Sequence, residues 1–91
     1  MVRFEWDEKK ASRNFIKHAV SFEEAVTVFG DPLSDTFPDP DHSHDEQRFI
    51  IIGSSESGKI LVVAHTDDKA VVRIISARNA TPEERTSYEE N

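Results

Sequence analysis

The sequence has 91 residues, of which 36% are hydrophobic and 32% charged, so it fits a single domain, 1–91, with no room for a second core. No stretch approaches the roughly 18 consecutive apolar residues of a membrane span, and the charged N-terminus lacks the apolar segment of a secretory signal. The absence of cysteine excludes disulfide scaffolds, thiolate zinc sites and cysteine nucleophiles. A cytoplasmic protein is the simplest expectation.

The net charge of −7 argues against a protein that coats nucleic acid non-specifically. The acids are unevenly distributed, because segment 31–47 holds six of the 18 and contains no lysine or arginine. In stretch 48–78, by contrast, five basic residues face three acidic ones. The sequence therefore allows a local cationic patch on an acidic molecule.

A short strand and two helices are predicted in the first third of the chain. Apolar and polar residues alternate over 4–6, which predicts a strand, and Asp7 is placed to cap a helix over 8–18. The apolar face of this helix is expected at Ala11, Phe15 and His18.

A capping box marks the start of the second helix. Ser21 is expected to accept from the amide of Glu24, whose carboxylate bonds back to the amide of Ser21. Gly30 is expected to end this helix, because glycine tolerates a positive φ.

The rest of the chain predicts a sheet and a last helix. Strands are expected over 33–37, 48–54, 59–66 and 71–78. The last three are joined by hairpin-length turns into an antiparallel meander. Apolar residues occupy both the odd and the even positions of these strands, so both faces of the sheet should be at least partly covered. Thr81 and Pro82 open the last helix, with Glu84 completing a capping box. The fold class is therefore α+β.

The acidic loop over 39–47 contains two histidines, His42 and His44, among carboxylates. Imidazole and carboxylate ligands suit zinc or manganese. Nothing else in the sequence completes a recognised ligand spacing, and Pro-Asp-His-Ser is ordinary turn chemistry. We therefore expect a solvated turn and no metal site.

Lys17 and His18 end the first helix, and two interpretations compete. A cation and an imidazole at that end interact favourably with the helix dipole, contributing about 0.3–1 kcal/mol. Alternatively, His18 transfers protons and Lys17 contacts a phosphate. Spacing alone favours the first interpretation.

Three arginines and a histidine lie in or beside apolar strands, namely Arg48, His65, Arg73 and Arg78. Such charges must reach solvent, a carboxylate or an anionic ligand. Internal ion pairs would explain them, and so would a clamp in which several guanidiniums on neighbouring strands grip one phosphodiester. The clamp hypothesis fails if the guanidiniums lie on unrelated surfaces, each paired with an internal acid.

Metal-free RNA cleavage would need a set of arginines and histidines of this kind. A base takes the proton of the 2′-hydroxyl, cationic groups stabilise the charge that builds around phosphorus, and an acid protonates the leaving oxygen. No Ser-His-Asp motif, phosphate-binding glycine loop or dinucleotide fingerprint suggests another enzyme class. The single tyrosine, Tyr88, is expected to pack one face of its ring on the sheet, with a solvated hydroxyl.

An ordered set of motifs runs through nearly the whole chain. It consists of Phe4-x-Trp6-Asp7-x-x-Lys10-Ala11-x-x-Asn14-x-x-Lys17-His18, Val20 to Ala25, Asp31-Pro32, Asp41-His42-Ser43, Arg48-Phe49, His65-Thr66, Arg73 to Arg78, Ala80, Glu84-Arg85 and Tyr88. The set resembles the BrnT toxins of bacterial type II toxin–antitoxin systems. That family usually has glycine after Lys-His, where this chain has Ala19, so a left-handed residue there would be strained by about 1 kcal/mol.

The resemblance implies a RelE-like α+β fold and a metal-independent ribonuclease that needs no cofactor and arrests growth. It also implies neutralisation by a ribbon-helix-helix antitoxin of the BrnA type, with operator DNA bound only through the antitoxin and no membrane contact. Matched positions and chemistry together give the candidate catalytic residues His18, His65, Arg48, Arg73, Arg78 and Tyr88, and the candidate RNA-binding residues Lys17 and Lys10. Either histidine would act as base or acid, the arginines would contact the phosphate, and Tyr88 would act as an acid or stack on a base.

A function from another class stays open. The chain would then be a non-catalytic binding module that acts as a co-repressor with a DNA-binding partner. The acidic charge favours this alternative, because an acidic surface suits a basic antitoxin segment better than it suits RNA.

Overall fold

The computed structural model describes residues 2–41 and 46–90, which form three helices and a five-stranded sheet. In chain order the elements are β1 (Arg3–Glu5), α1 (Glu8–His18), α2 (Phe22–Thr27), β2 (Asp35–Pro38), β3 (Arg48–Ser54), β4 (Ile60–Asp68), β5 (Val71–Asn79) and α3 (Pro82–Glu89). The predicted α+β class is confirmed. None of the helices in the two described ranges is long and apolar enough to cross a membrane.

The sheet is mixed, with the strand order β1-β5-β4-β3-β2. The predicted meander is present, since β3, β4 and β5 pair antiparallel in succession. β2 adds antiparallel to β3, and β1 adds parallel to β5. Only β3 has the predicted bounds at both ends. The other four strands differ by one or two residues: β1 lies at 3–5 and not 4–6, β2 at 35–38 and not 33–37, β4 at 60–68 and not 59–66, and β5 ends at 79 and not 78.

One face of the sheet carries the core. α1 and α2 pack against β5, and a 3-10 turn that follows α2 packs against β3. The core residues are Val20, Phe22, Ala25, Val28, Ile51, Leu61, Val63, Val72, Ile74 and Ala77. The opposite face, called the open face below, carries the side chains of Arg48, Ile50 and Ile52 on β3. Ile50 and Ile52 are half-buried, which agrees with the prediction that both faces are at least partly covered.

The helix starts are where the capping residues predict them. The Asp7 carboxylate accepts from the amides of Lys9 and Lys10, at 2.8 and 3.2 Å. In α3 the Thr81 hydroxyl accepts from the amide of Glu84 at 3.1 Å, and the Glu84 carboxylate accepts from the amide of Thr81 at 2.9 Å. Local capping chemistry therefore fixes where these helices begin.

Two details at α2 differ from the predictions. The Ser21 hydroxyl accepts from the amide of Glu24 at 3.0 Å, but the Glu24 carboxylate accepts instead from the hydroxyls of Ser55 and Ser57 in the β3–β4 hairpin. These hydroxyls lower the pKa of Glu24 and tie the hairpin to α2. Gly30 does not have a positive φ, because the chain leaves α2 through the 3-10 turn Val28–Gly30.

The buried face of α1 includes two residues of the predicted apolar stripe, since Ala11 packs against the core and His18 is half-buried, but the prediction for Phe15 is wrong. Asn14 is the buried residue of this helix, whereas Phe15 is 56% exposed and Ile16 is 85% exposed. The Asn14 amide donates to the carbonyls of Val20 and Ala77, at 3.0 and 2.8 Å, and accepts from the amide of Ala77 at 3.0 Å. It thus pairs with the backbone of β5 beyond the end of β1, where the strand has no other neighbour on that side.

The turn after α1 is left-handed, as the sequence indicates. Ala19 has φ 58° and ψ 32°, and its amide donates to the carbonyl of Phe15 at 2.8 Å. An alanine in this conformation is strained, because its Cβ approaches the following carbonyl oxygen.

Candidate functional site

Two of the candidate arginines lie on the open face on either side of Thr66. Arg48 on β3 pairs with Thr66 on β4, and Thr66 pairs with Arg73 on β5. Arg73 also pairs with Glu5 of β1, the strand that lies parallel to β5 on its other side. Because directly paired residues point to the same face of a sheet, these four side chains form one row.

A β-bulge brings Arg78 to the same face. Arg73 and Arg78 are five residues apart, and in a regular strand an odd spacing puts side chains on opposite faces. The register of β4 against β5 shifts between Ala64 and His65, so one extra residue of β5 is accommodated there. Arg78 consequently pairs with Val62, four residues from Thr66, and points to the open face.

The three guanidiniums therefore share a face but not a single position. Thr66 and Val62 are separated by four residues of β4, which corresponds to about 13 Å along the strand. Arg48 and Arg73 form a pair at the end of the sheet near the β4–β5 turn, whereas Arg78 lies towards α3. As placed, Arg78 is too far from this pair to contact the same phosphate.

Each of the three candidate arginines has an acidic neighbour. The Glu46 carboxylate accepts from the Arg73 guanidinium, and the same oxygen, Oε1, lies 4.0 Å from Nε of Arg48. Glu84 of α3 accepts from both terminal nitrogens of Arg78, at 2.8 and 3.0 Å. This bidentate contact raises the pKa of Arg78 and lowers the pKa of Glu84 to about 2.

His65 lies on the face opposite to the arginines. It precedes Thr66, so its ring points to the core, where it is 3% exposed. Phe29 meets the ring edge-on with centroids 4.8 Å apart, and Phe49 lies 6.0 Å away. Burial lowers the pKa of His65, while the carbonyl of Val63, 3.4 Å from Nδ1, opposes that shift. His65 is a neutral core residue and does not join the arginine row.

Tyr88 is likewise away from the row. Its hydroxyl donates to the carboxylate of Asp31, which also accepts from the amide of Ser54 at 2.8 Å. This hydrogen bond raises the pKa of Tyr88 and keeps the phenol protonated. Ser54 and Arg48 are at opposite ends of β3, six residues and about 20 Å apart. The tyrosine therefore anchors α3 and does not face the Arg48–Arg73 pair.

The candidate residues of α1 lie in the helical layer. Lys10 and Lys17 are exposed, and His18 is half-buried. His18 follows Asn14 by one helical turn, so it lies on the same side of α1 as the contact with β5. The structure does not place these residues in the arginine row.

The acidic loop lies partly outside the described residues, since His42 and His44 belong to the range 42–45. Within 2–41 and 46–90, no group of three or more histidines, aspartates or glutamates is placed to hold a metal ion. The Asp39 carboxylate accepts from the amide of Asp41 at 3.0 Å, which is a turn contact.

Comparison with known proteins adds the deciding observation. A family described as "Ribonuclease toxin, BrnT, of type II toxin-antitoxin system" matches residues 6–84. The chain belongs to the BrnT family. The fold is similar to the 1.1 Å crystal structure of the Brucella abortus ribonuclease toxin BrnT, with a TM-score of 0.69, 23% identity, and coverage of 89% of this chain and 99% of that chain. A search of the curated proteins gives no match.

The BrnT match includes Arg48, Arg73 and Arg78 and all of α1, but Tyr88 lies beyond it. Thr66 and Glu46 are the members of the site that reasoning from the sequence did not select. Thr66 carries a detectable signal, because a β3–β4 hairpin in which Ser54 pairs with Ile60 necessarily pairs Arg48 with residue 66. Glu46 carries none, since it is one acid among six in its segment.

Proposed function

We propose that this BrnT-family chain is an endoribonuclease that binds single-stranded RNA on its open face and cleaves it without a metal ion. The observation that carries the proposal is the Arg48–Thr66–Arg73 row. The side chains of Arg48 and Arg73 are 28% and 41% exposed, so both can meet a polymer that lies across the sheet. Arg78 would contact a different phosphate of the same strand.

The proposed reaction is transfer of the phosphoryl group to the neighbouring 2′-oxygen. The 2′-oxygen loses its proton and forms a bond to phosphorus, the bond from phosphorus to the 5′-oxygen breaks, and that oxygen is protonated. The products are a 2′,3′-cyclic phosphate and a 5′-hydroxyl. Arg48 and Arg73 stabilise the charge that builds on the non-bridging oxygens, which is the role of a preorganised cationic site.

No side chain of the described residues is assigned to proton transfer at the arginine row; water takes the proton of the 2′-oxygen and supplies one to the 5′-oxygen. A group that exchanges protons with RNA must reach the RNA, and His65 is enclosed by Phe29 and Phe49 on the opposite face. His18 is half-buried on the side of α1 that contacts β5, so it does not reach the open face either. The exposed Lys10 and Lys17 would contact the RNA backbone where it leaves the open face. His65 then supports the sheet below the arginine row, and Tyr88 holds α3.

The proposed partner is a ribbon-helix-helix antitoxin of the BrnA type, through which operator DNA would be bound. A net charge of −7 favours a basic partner segment. The proposal includes a relationship to RelE-like toxins, action in the cytoplasm and no cofactor.

The test is cleavage of a labelled RNA by the purified protein in the presence of EDTA. The double variant Arg48→Ala/Arg73→Ala is expected to lose at least about 100-fold in rate, because removal of one transition-state donor costs about 10²–10³. The matched control is Arg13→Ala/Arg85→Ala, which removes the same charge from exposed positions on α1 and α3. Equal rates for the two double variants would refute the site, and loss of cleavage in EDTA would refute the mechanism.

A second function is favoured by a specific observation. Arg73 and Arg78 are already paired with Glu46 and Glu84, which suits a surface without a catalytic role. The chain would then be a binding module and co-repressor. Expression without the partner separates the two functions, because a toxin arrests growth and a binding module does not.

A further inference from the structure

Glu46 holds a carboxylate oxygen between the two guanidiniums of the arginine row. Oε1 accepts from Arg73 and lies 4.0 Å from Nε of Arg48, although the two arginines stand on strands separated by β4. One oxygen atom therefore accepts a hydrogen bond from Arg73 and lies at ion-pair distance from Arg48. Glu46 is 47% exposed, so its carboxylate can leave this position without disturbing the core.

An oxygen atom that accepts from one guanidinium and lies 4.0 Å from a second is in a position that suits an anion. A carboxylate oxygen and a non-bridging phosphate oxygen accept guanidinium hydrogen bonds in the same way. We propose that Glu46 occupies the phosphate position of the Arg48–Arg73 pair and competes with RNA for it, so that it limits the affinity of the site for RNA. This inference rests on the proposed function, because it takes the arginine row as the RNA site.

A purely structural interpretation predicts the opposite effect. If Glu46 served to orient the two arginines for RNA, loss of its charge would loosen them and weaken binding. If it competes with RNA, loss of its charge frees the guanidiniums and strengthens binding. Glu46→Gln distinguishes these interpretations, because the amide keeps the size and one acceptor oxygen but carries no charge.

The experiment measures binding of a fluorescein-labelled, 2′-O-methylated RNA oligonucleotide by fluorescence anisotropy at several salt concentrations. The methylated oligonucleotide lacks the attacking hydroxyl, so binding is separated from cleavage. The matched control is Glu56→Gln, which makes the same change in charge at an exposed residue of the β3–β4 hairpin, at the other end of β3. Thermal unfolding of each variant verifies that the fold is kept.

We expect Glu46→Gln to tighten binding by about fivefold at low salt, less at high salt, and Glu56→Gln to change it by less than about twofold. The gain should vanish when Glu46→Gln is combined with Arg48→Ala/Arg73→Ala. If the double arginine variant loses binding, the proposed RNA site stands. In that case, equal affinities for the two glutamine variants, or weaker binding by Glu46→Gln, overturn only the inference that Glu46 competes with RNA. Unchanged binding by the double arginine variant overturns both the inference and the proposed RNA site.

Discussion

Replacement of Asn14 by alanine tests what holds α1 on the sheet. The side chain makes three buried hydrogen bonds to the backbone of Val20 and Ala77, at 2.8 to 3.0 Å, and all three backbone groups lie in residues with no exposed surface. A buried hydrogen bond contributes about 0.5–1.5 kcal/mol, and a backbone group left without a partner costs more, so the variant should lose about 3–4 kcal/mol. A chain of this length has a free energy of unfolding of about 5–14 kcal/mol, which makes the loss readily measurable.

Urea unfolding, followed by fluorescence and circular dichroism, measures this loss. Trp6 is the only tryptophan, and its ring meets the core ring of Phe22 edge-on with centroids 6.0 Å apart, so its emission reports on the core. Ser12→Ala, at an exposed position of the same helix, should change the free energy of unfolding by less than about 0.5 kcal/mol. If Asn14→Ala cost less than about 1 kcal/mol, the three hydrogen bonds would not be what fixes α1 to β5.

Three further variants test single features of the fold. Burial lowers the pKa of His65, so the unfolded chain takes up a proton at a higher pH than the folded chain does, and stability should fall as the pH drops below the ordinary value of 6.5. His65→Leu should flatten this part of the stability–pH curve, and an unchanged curve would contradict the assignment. Gly53→Ala should lower the free energy of unfolding by about 1–3 kcal/mol, because the added Cβ would lie 2.9 Å from Cβ of Ser34. An unchanged midpoint of urea unfolding would contradict this packing. Ala19→Gly should raise stability by about 1 kcal/mol and the melting temperature by several degrees, because it relieves a left-handed alanine.

Features encoded within a few residues could be predicted from the sequence. α1 and α3 each begin at a side chain that accepts a hydrogen bond from a backbone amide two or three residues later. No distant contact is needed to predict where these helices begin. The predictions fail where a distant group competes. The Glu24 carboxylate leaves its own helix because Ser55 and Ser57 offer hydroxyl donors.

The orientation of α1 was also beyond local reasoning. Hydrophobic spacing predicts that Phe15 faces the core, but Asn14 does. The cause lies 63 residues away, where the backbone of Ala77 has an amide and a carbonyl with no strand beside them. Satisfying these groups outweighs burial of an aromatic ring, because unpaired backbone groups in the core are costly. Only the sheet order reveals that β1 stops before it reaches them.

Whether Arg78 shares the open face with Arg73 depends on one inserted residue. Without the bulge, the register that pairs Thr66 with Arg73 would continue and pair Arg78 with Leu61, whose side chain is in the core. A guanidinium there would be buried without a partner, which is strongly unfavourable. The bulge therefore lets Ile74 and Ala77 lie in the core while Arg73 and Arg78 both reach the open face. Because alternation along β5 does not indicate where the extra residue lies, the sequence identifies the arginines but not the face that they share.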